Sequence, residues 1–165
     1  MFGRPKHAKQ DLVTRYEAQY IISRELVPEI RAFIKPFCKP DPYALGEPPE
    51  YTITTLQLDN DRLSLHMAKE NEAVRRFKLR ARTYGAIGSA PCFAEVKAKL
   101  EDTIVKTRAT IPFAVWSEDL VFGVKLPNCF KNPRQEIDFL QFRRLVWETQ
   151  SRPQLLVRYV RESHV

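Results

Sequence analysis

Cysteine is scarce in this chain, and the three present, Cys38, Cys92 and Cys129, lie too far apart to form a CxxC pair. That spacing speaks against a zinc site or a disulfide framework and predicts buried thiols in a reducing compartment. Histidine is equally sparse: His7, His66 and His164 have no acidic partner at a recognisable spacing, and none is given a role. No apolar run approaches the roughly 20 residues needed to cross a bilayer, so no transmembrane segment is expected. Residues 1–10 lack the apolar centre of a signal peptide, and a cytoplasmic location is expected. Internal repeats and low-complexity tracts are absent. Acidic charge is in short supply too. Against 27 Lys and Arg stand 20 Asp and Glu, a net charge of +7, which favours a phosphate-bearing or anionic partner over a cationic one. At 165 residues and 44% hydrophobic content, the chain is long and apolar enough for one domain with its own core.

Periodicity predicts the elements of that domain. Residues 1–12 read as a mobile basic tail. Residues 13–22 alternate as a strand, with Tyr16, Ala18, Tyr20 and Ile22 on one side. Ser23 can cap a helix whose stripe is Leu26, Ile30, Phe33 and Phe37. A proline-rich loop follows at residues 41–50, then a strand at 51–59. A short amphipathic helix at 61–69 carries Leu63, His66 and Met67 on one side, which is expected to pack on the sheet. Strands at 73–84, 92–100 and 103–111 are joined so tightly that they should pair antiparallel. Residues 113–122 are apolar, as befits a helix or loop plugging the core. Asn132-Pro133 with Gln135 predicts a capped helix running to about Thr149 with the stripe Phe139, Phe142 and Val146, and residues 153–161 form a last strand.

Within a strand, residues two apart face the same way, ~6.6 Å from one another. Arg76, Lys78, Arg80 and Arg82 therefore share one face, Glu95, Lys97 and Lys99 the same kind of face on the next strand, and Lys106 and Arg108 on the one after. Like charges opposite one another in a sheet repel, so the pattern opposes stability unless a counter-ion relieves it. Each cation alone reads as ordinary solvated surface. In line and backed by neighbours, they point to an anion site, for which the planar fork of Arg suits phosphate oxygens. Glu95 is read two ways, as a metal ligand or as the partner of a neighbouring Lys. Replacing Arg80 or Arg82 is expected to leave folding intact or slightly improved while weakening anion binding. Only Phe93 adds an aromatic to this face, which argues against single-stranded RNA and against a specific nucleic-acid partner.

The order of these motifs resembles the VTC domain, the polyphosphate polymerase domain of vacuolar transporter chaperone complexes and of many bacterial proteins, within the CYTH or triphosphate tunnel metalloenzyme superfamily. Carrying the resemblance are Arg15-Tyr16-Glu17-Ala18-Gln19-Tyr20, Thr55-Leu56-Gln57-Leu58-Asp59, Lys78-Leu79-Arg80-Ala81-Arg82-Thr83-Tyr84-Gly85, Glu95-Val96-Lys97, Lys106-Thr107-Arg108 and Tyr159-Val160-Arg161. The resemblance implies an α+β fold in which antiparallel strands form a tunnel lined by Lys and Arg, with helices packed outside. It implies binding of polyphosphate or a nucleoside triphosphate by Lys78, Arg80, Arg82, Lys97, Lys106, Arg108 and Arg161. A divalent metal, Mn2+ or Mg2+, is implied near Glu17 or Glu95, with in-line phosphoryl transfer as the chemistry. Two departures bear on activity. Gln19 stands where the family has a Lys, and the chain stops before the strands with which the family closes its tunnel. The expectation is a partial tunnel over residues 13–165, belonging to a fragment or to a short form that binds without turning over. A tunnel triphosphatase and an inactive polyanion-binding module are the alternatives, the Tyr84-Gly85 pair favouring the polymerase.

Overall fold

The computed structural model describes residues 18–44, 46–101, 103–123 and 128–165. Their architecture is α+β. One antiparallel sheet runs in the order β4-β3-β2-β1-β5, with β1 at Glu50–Asp59, β2 at Arg75–Tyr84, β3 at Cys92–Leu100, β4 at Thr103–Ile111 and β5 at Arg152–Glu162. Among the described residues the sheet is open, with β4 and β5 as its edges. The helices α1 (Val27–Ile34), α2 (Ser64–Glu70), α3 (Glu118–Phe122) and α4 (Pro133–Glu148) lie outside it. None of them is long and apolar enough to cross a membrane.

The three consecutive strands β2, β3 and β4 form as their alternation predicts, because the turns between them are short. Gly85 and Gly88 take positive φ angles of 73° and 89° in the connection from β2 to β3, a backbone shape that costs a glycine least. The odd-numbered residues of β2 and the even-numbered ones of β3 then point to the core, where Leu79, Ala94 and Val96 meet Ala109 and Ile111 of β4.

α4 covers that face. Asn132 caps its start by accepting from the Gln135 backbone N–H at 3.0 Å, while the Gln135 side-chain oxygen is buried without a partner, so only half of the expected capping box forms. Phe139, Phe142 and Val146 are fully buried against the sheet, as their spacing predicts. Residues 113–122 add Leu120 and Val121 to the same core, with Val115 and Trp116 packed against it.

Several expectations are corrected. Residues 18–22 are exposed and form no strand, and the rest of that predicted strand lies outside the described residues, as does the tail at 1–12. In α2 the residue that packs is Leu65, and Leu63 and Met67 are exposed. The helix starts later than predicted because the Asp59 carboxylate accepts from the backbone N–H groups of Leu65 and His66, at 3.0 and 2.8 Å, and fixes the first turn there. Ser23 makes no side-chain cap, and the apolar stripe of α1 faces outward, with Phe33 and Phe37 72% and 77% exposed. Arg31 ties that helix down instead, bonding Glu162 at 2.7 Å and Glu50 at 3.5 Å.

Since Phe142 has no exposed surface and sits on the sheet, Phe142→Ala should cost about 3–5 kcal/mol of unfolding free energy, read by urea denaturation. Trp147→Ala, one turn on and 60% exposed, should change it by less than about 0.5 kcal/mol. Equal losses at the two positions would contradict this placement of the core.

Candidate functional site

The face of the sheet opposite α4 carries the cations. Strand register sets them in rows: Lys78 lies opposite Lys97 and Lys97 opposite Lys106, while Arg80 lies opposite Glu95 and Glu95 opposite Arg108. On β1, Gln57 and Thr55 stand beside Arg80 and Arg82. Arg161, on the edge strand β5, pairs with Tyr51 and so belongs to the same face, exposed and outside the central rows.

Glu95 is the centre of the arrangement. Its side chain has no exposed surface, yet it is held by three cations from two neighbouring strands. Arg80 Nε donates to Oε2 at 2.6 Å; Arg108 Nε donates to Oε1 at 2.7 Å, and Lys106 Nζ reaches the same oxygen at 3.0 Å. Burial alone would raise the carboxyl pKa, but Arg80, Lys106 and Arg108 outweigh it and hold it at about 2. For Lys106, burial outweighs Glu95, and its pKa falls below the usual lysine value. One carboxylate against three cations leaves a surplus of two positive charges at the centre.

Arg108 is fixed from several sides. Besides Glu95, it donates through Nη2 to the Tyr84 oxygen at 3.3 Å, and its guanidinium carbon lies 4.6 Å above the Phe93 ring. Phe93, Tyr84 and Tyr51 stack edge-on in series, with centroids 5.5 and 5.8 Å apart. The face thus carries more aromatic surface than the single Phe93 expected, and alternation along β1 and β2 was the signal for it. Burial would raise the Tyr84 phenol pKa, but hydrogen bonding and charge from Arg82 and Arg108 bring it below the ordinary value. Arg82 donates to the Thr55 hydroxyl at 3.1 Å, and among the described residues it has no acidic partner.

Membership follows from the sequence as a whole. A family model for the VTC domain matches residues 14–165. The chain belongs to the VTC domain family. A search among curated proteins returned no significant match. Membership ties this VTC domain to polyphosphate-related function, and the strand Lys78-Leu79-Arg80-Ala81-Arg82 stands in the middle of its cationic face.

The implied metal finds no such support in the described residues. Glu17 lies outside them. Both oxygens of Glu95 are engaged by cations, and among the described residues no three His, Cys, Asp or Glu side chains gather closely enough to hold an ion. Glu95 therefore does not fit a metal-ligand role as it stands; of its two readings, the geometry supports ion pairing.

The same contacts correct the expectation for Arg80. Its charge is bound to a buried carboxylate, so Arg80→Ala should lower stability by about 1.5–3 kcal/mol, the worth of one charged hydrogen bond, where repulsion alone predicted neutrality. Arg82→Ala, losing contacts only with the neutral hydroxyls of Thr55 and Tyr84, should cost less than Arg80→Ala, about 1 kcal/mol by the same denaturation. A pH series tests Glu95 itself. A carboxylate whose pKa is depressed on folding contributes stability that is complete above the ordinary carboxylate pKa. That contribution is lost as pH falls from there through about 2. Wild type should lose stability over this interval faster than Glu95→Gln, and parallel curves would show that Glu95 is not held as described.

Proposed function

We propose that this VTC domain binds the phosphates of inorganic polyphosphate, or of a nucleoside triphosphate, on its cationic face, with Lys78, Arg80, Arg82, Lys97, Lys106 and Arg108 as the contacts and Arg161 at the edge. The observation that carries this reading is the Glu95 centre: a buried acid holds three cations in place from below and leaves the face positively charged. Fixed cations lose little freedom on meeting an anion, so less of the binding energy goes into ordering them. Phosphoryl transfer is the chemistry of this reading, since it asks mainly for positioned positive charge around the transferring group. Glu95, with both oxygens engaged by cations, takes no metal-ligand part in this reading; a divalent cation, where the phosphates bring one, would supply further charge neutralisation.

The aromatic series supports polyphosphate, which has no base to stack, over single-stranded RNA. Base stacking needs a free ring face. Phe93 is covered by Arg108, and Tyr84 and Tyr51 meet edge-on.

Titration with long polyphosphate is the test. Lys78→Ala and Arg82→Ala should each lower affinity roughly tenfold, the equivalent of about 1.4 kcal/mol, with affinity of the wild type falling as salt rises. Single-stranded RNA of equal charge should bind more weakly at the same ionic strength. Equal binding of the two polymers would reduce the face to a nonspecific basic patch.

A further inference from the structure

At the end of the sheet where α2 leads into β2, the cationic face runs into a shallow basin of about 240 Å³. Lys69 of α2, Arg76 and Lys78 of β2, and Lys97 and Lys99 of β3 line it, with Arg80 at its inner side. Two cross-strand pairs here are like-charged, Arg76 with Lys99 and Lys78 with Lys97. Such pairs are destabilising on their own.

The basin differs from the Glu95 centre in how its charge is met. Among the described residues, Arg76, Lys78, Lys97 and Lys99 have no acidic partner, and Arg76 only donates to the Ala73 carbonyl oxygen at 2.8 Å. Lys69 pairs with its neighbour Glu70 at the surface. Burial, then the charges of Lys69, Lys97 and Arg80, press the Lys78 ammonium pKa below the usual lysine value. Glu70, at the surface beside Lys69, offsets part of this charge and acts on Lys78 from a distance, but no carboxylate is buried among these cations as Glu95 is at the centre.

Position supplies the second argument. Arg82, Arg80, Lys78 and Arg76 are successive residues on one face of β2, and Arg82 to Arg76 is a path of roughly 20 Å at ~3.3 Å per residue. An anion lying on Arg82 and Arg80 that continues along β2 passes between Lys78 and Lys97 and arrives among Arg76, Lys99 and Lys69. Only an extended polyanion follows that path.

We infer that the basin of Lys69, Arg76 and Lys99 is an outer subsite for the distal phosphates of a long polyphosphate chain, distinct from the Glu95 centre, which makes affinity depend on chain length. This rests on the polyphosphate reading above.

The experiment uses the double variant Lys69→Gln/Lys99→Gln, both positions lying outside the Glu95 centre. Affinities for long-chain polyphosphate and for inorganic triphosphate are measured by calorimetric titration at one salt concentration, with melting temperature as the check on folding. Long-chain affinity should fall about tenfold, and triphosphate affinity should stay within about twofold. A control, Lys35→Gln/Lys131→Gln, removes the same charge from exposed positions elsewhere and should leave both affinities unchanged. Equal loss for both ligands, no loss for either, or the same loss in the control would overturn the outer subsite while leaving the polyphosphate reading standing. Wild-type protein that binds neither ligand would overturn both.

Discussion

Glu95 is the group on which the cationic face depends. A carboxylate with no exposed surface is costly to bury, and it is retained here because three cations converge on its two oxygens. The dependence runs both ways. Without the acid, Arg80, Lys106 and Arg108 would crowd one face of three adjacent strands with nothing between them. The same pleat that turns Glu95 toward these cations turns Ala94 and Val96 into the core beneath α4. A slip of one residue in the β3 register would exchange the two sets, placing an acid against Phe139 and Phe142 and apolar side chains among the cations. Core packing and site electrostatics therefore specify one register together.

The face divides into zones of different rigidity. Around Glu95 the cations are locked, and Arg108 is held by a carboxylate, a phenol oxygen and a ring face at once. Toward α2, Lys69 pairs with Glu70 at the surface, and Lys78, Lys97 and Lys99 have no ion pair among the described residues. Locked cations favour a defined phosphate geometry, because little entropy is lost when they bind. Lysine, a compact charge on a flexible stem, acts chiefly through charge and asks less of the ligand's geometry than the planar fork of Arg. In the polyphosphate reading proposed above, the locked end would hold the phosphates in a set geometry and the lysine end would meet the rest of the chain through charge.

How much of this was legible in the sequence depends on whether the information was local. Alternation located β2, β3 and β4 and sorted their cations from their core residues, since that pattern needs only the pleat and a good turn. The α4 stripe was equally visible. What sequence left open was contact between elements. Glu95 had two readings because deciding between them requires knowing that Arg80 and Arg108 both stand opposite it, and that is a property of register. The stripe of α1 shows a face but not whether anything lies against it, and here it is turned outward. The reading of α2 named Leu63, His66 and Met67, whereas Leu65 is the residue that packs, which needs the neighbouring sheet to be seen. The start was also placed too early, since the acid that accepts from its first N–H groups, Asp59, lies in the preceding strand. Tyr51 and Tyr84 were passed over because they were read as strand and motif residues, not as neighbours of Phe93.

The Arg-x-Arg pair shows why a motif alone could not assign roles. Arg80 and Arg82 are two residues apart, face the same way and look equivalent as sequence. Their partners separate them. Arg80 meets a buried carboxylate, so much of its charge goes to stabilising the fold and only the unused edge of its guanidinium is available to a ligand. Arg82 meets the hydroxyl of Thr55, which orients it without neutralising it. Its charge is met by no carboxylate among the described residues. The two members of one motif thus differ in how far their charge is already neutralised, and the residue that sets the difference, Glu95, stands opposite Arg80 on the neighbouring strand.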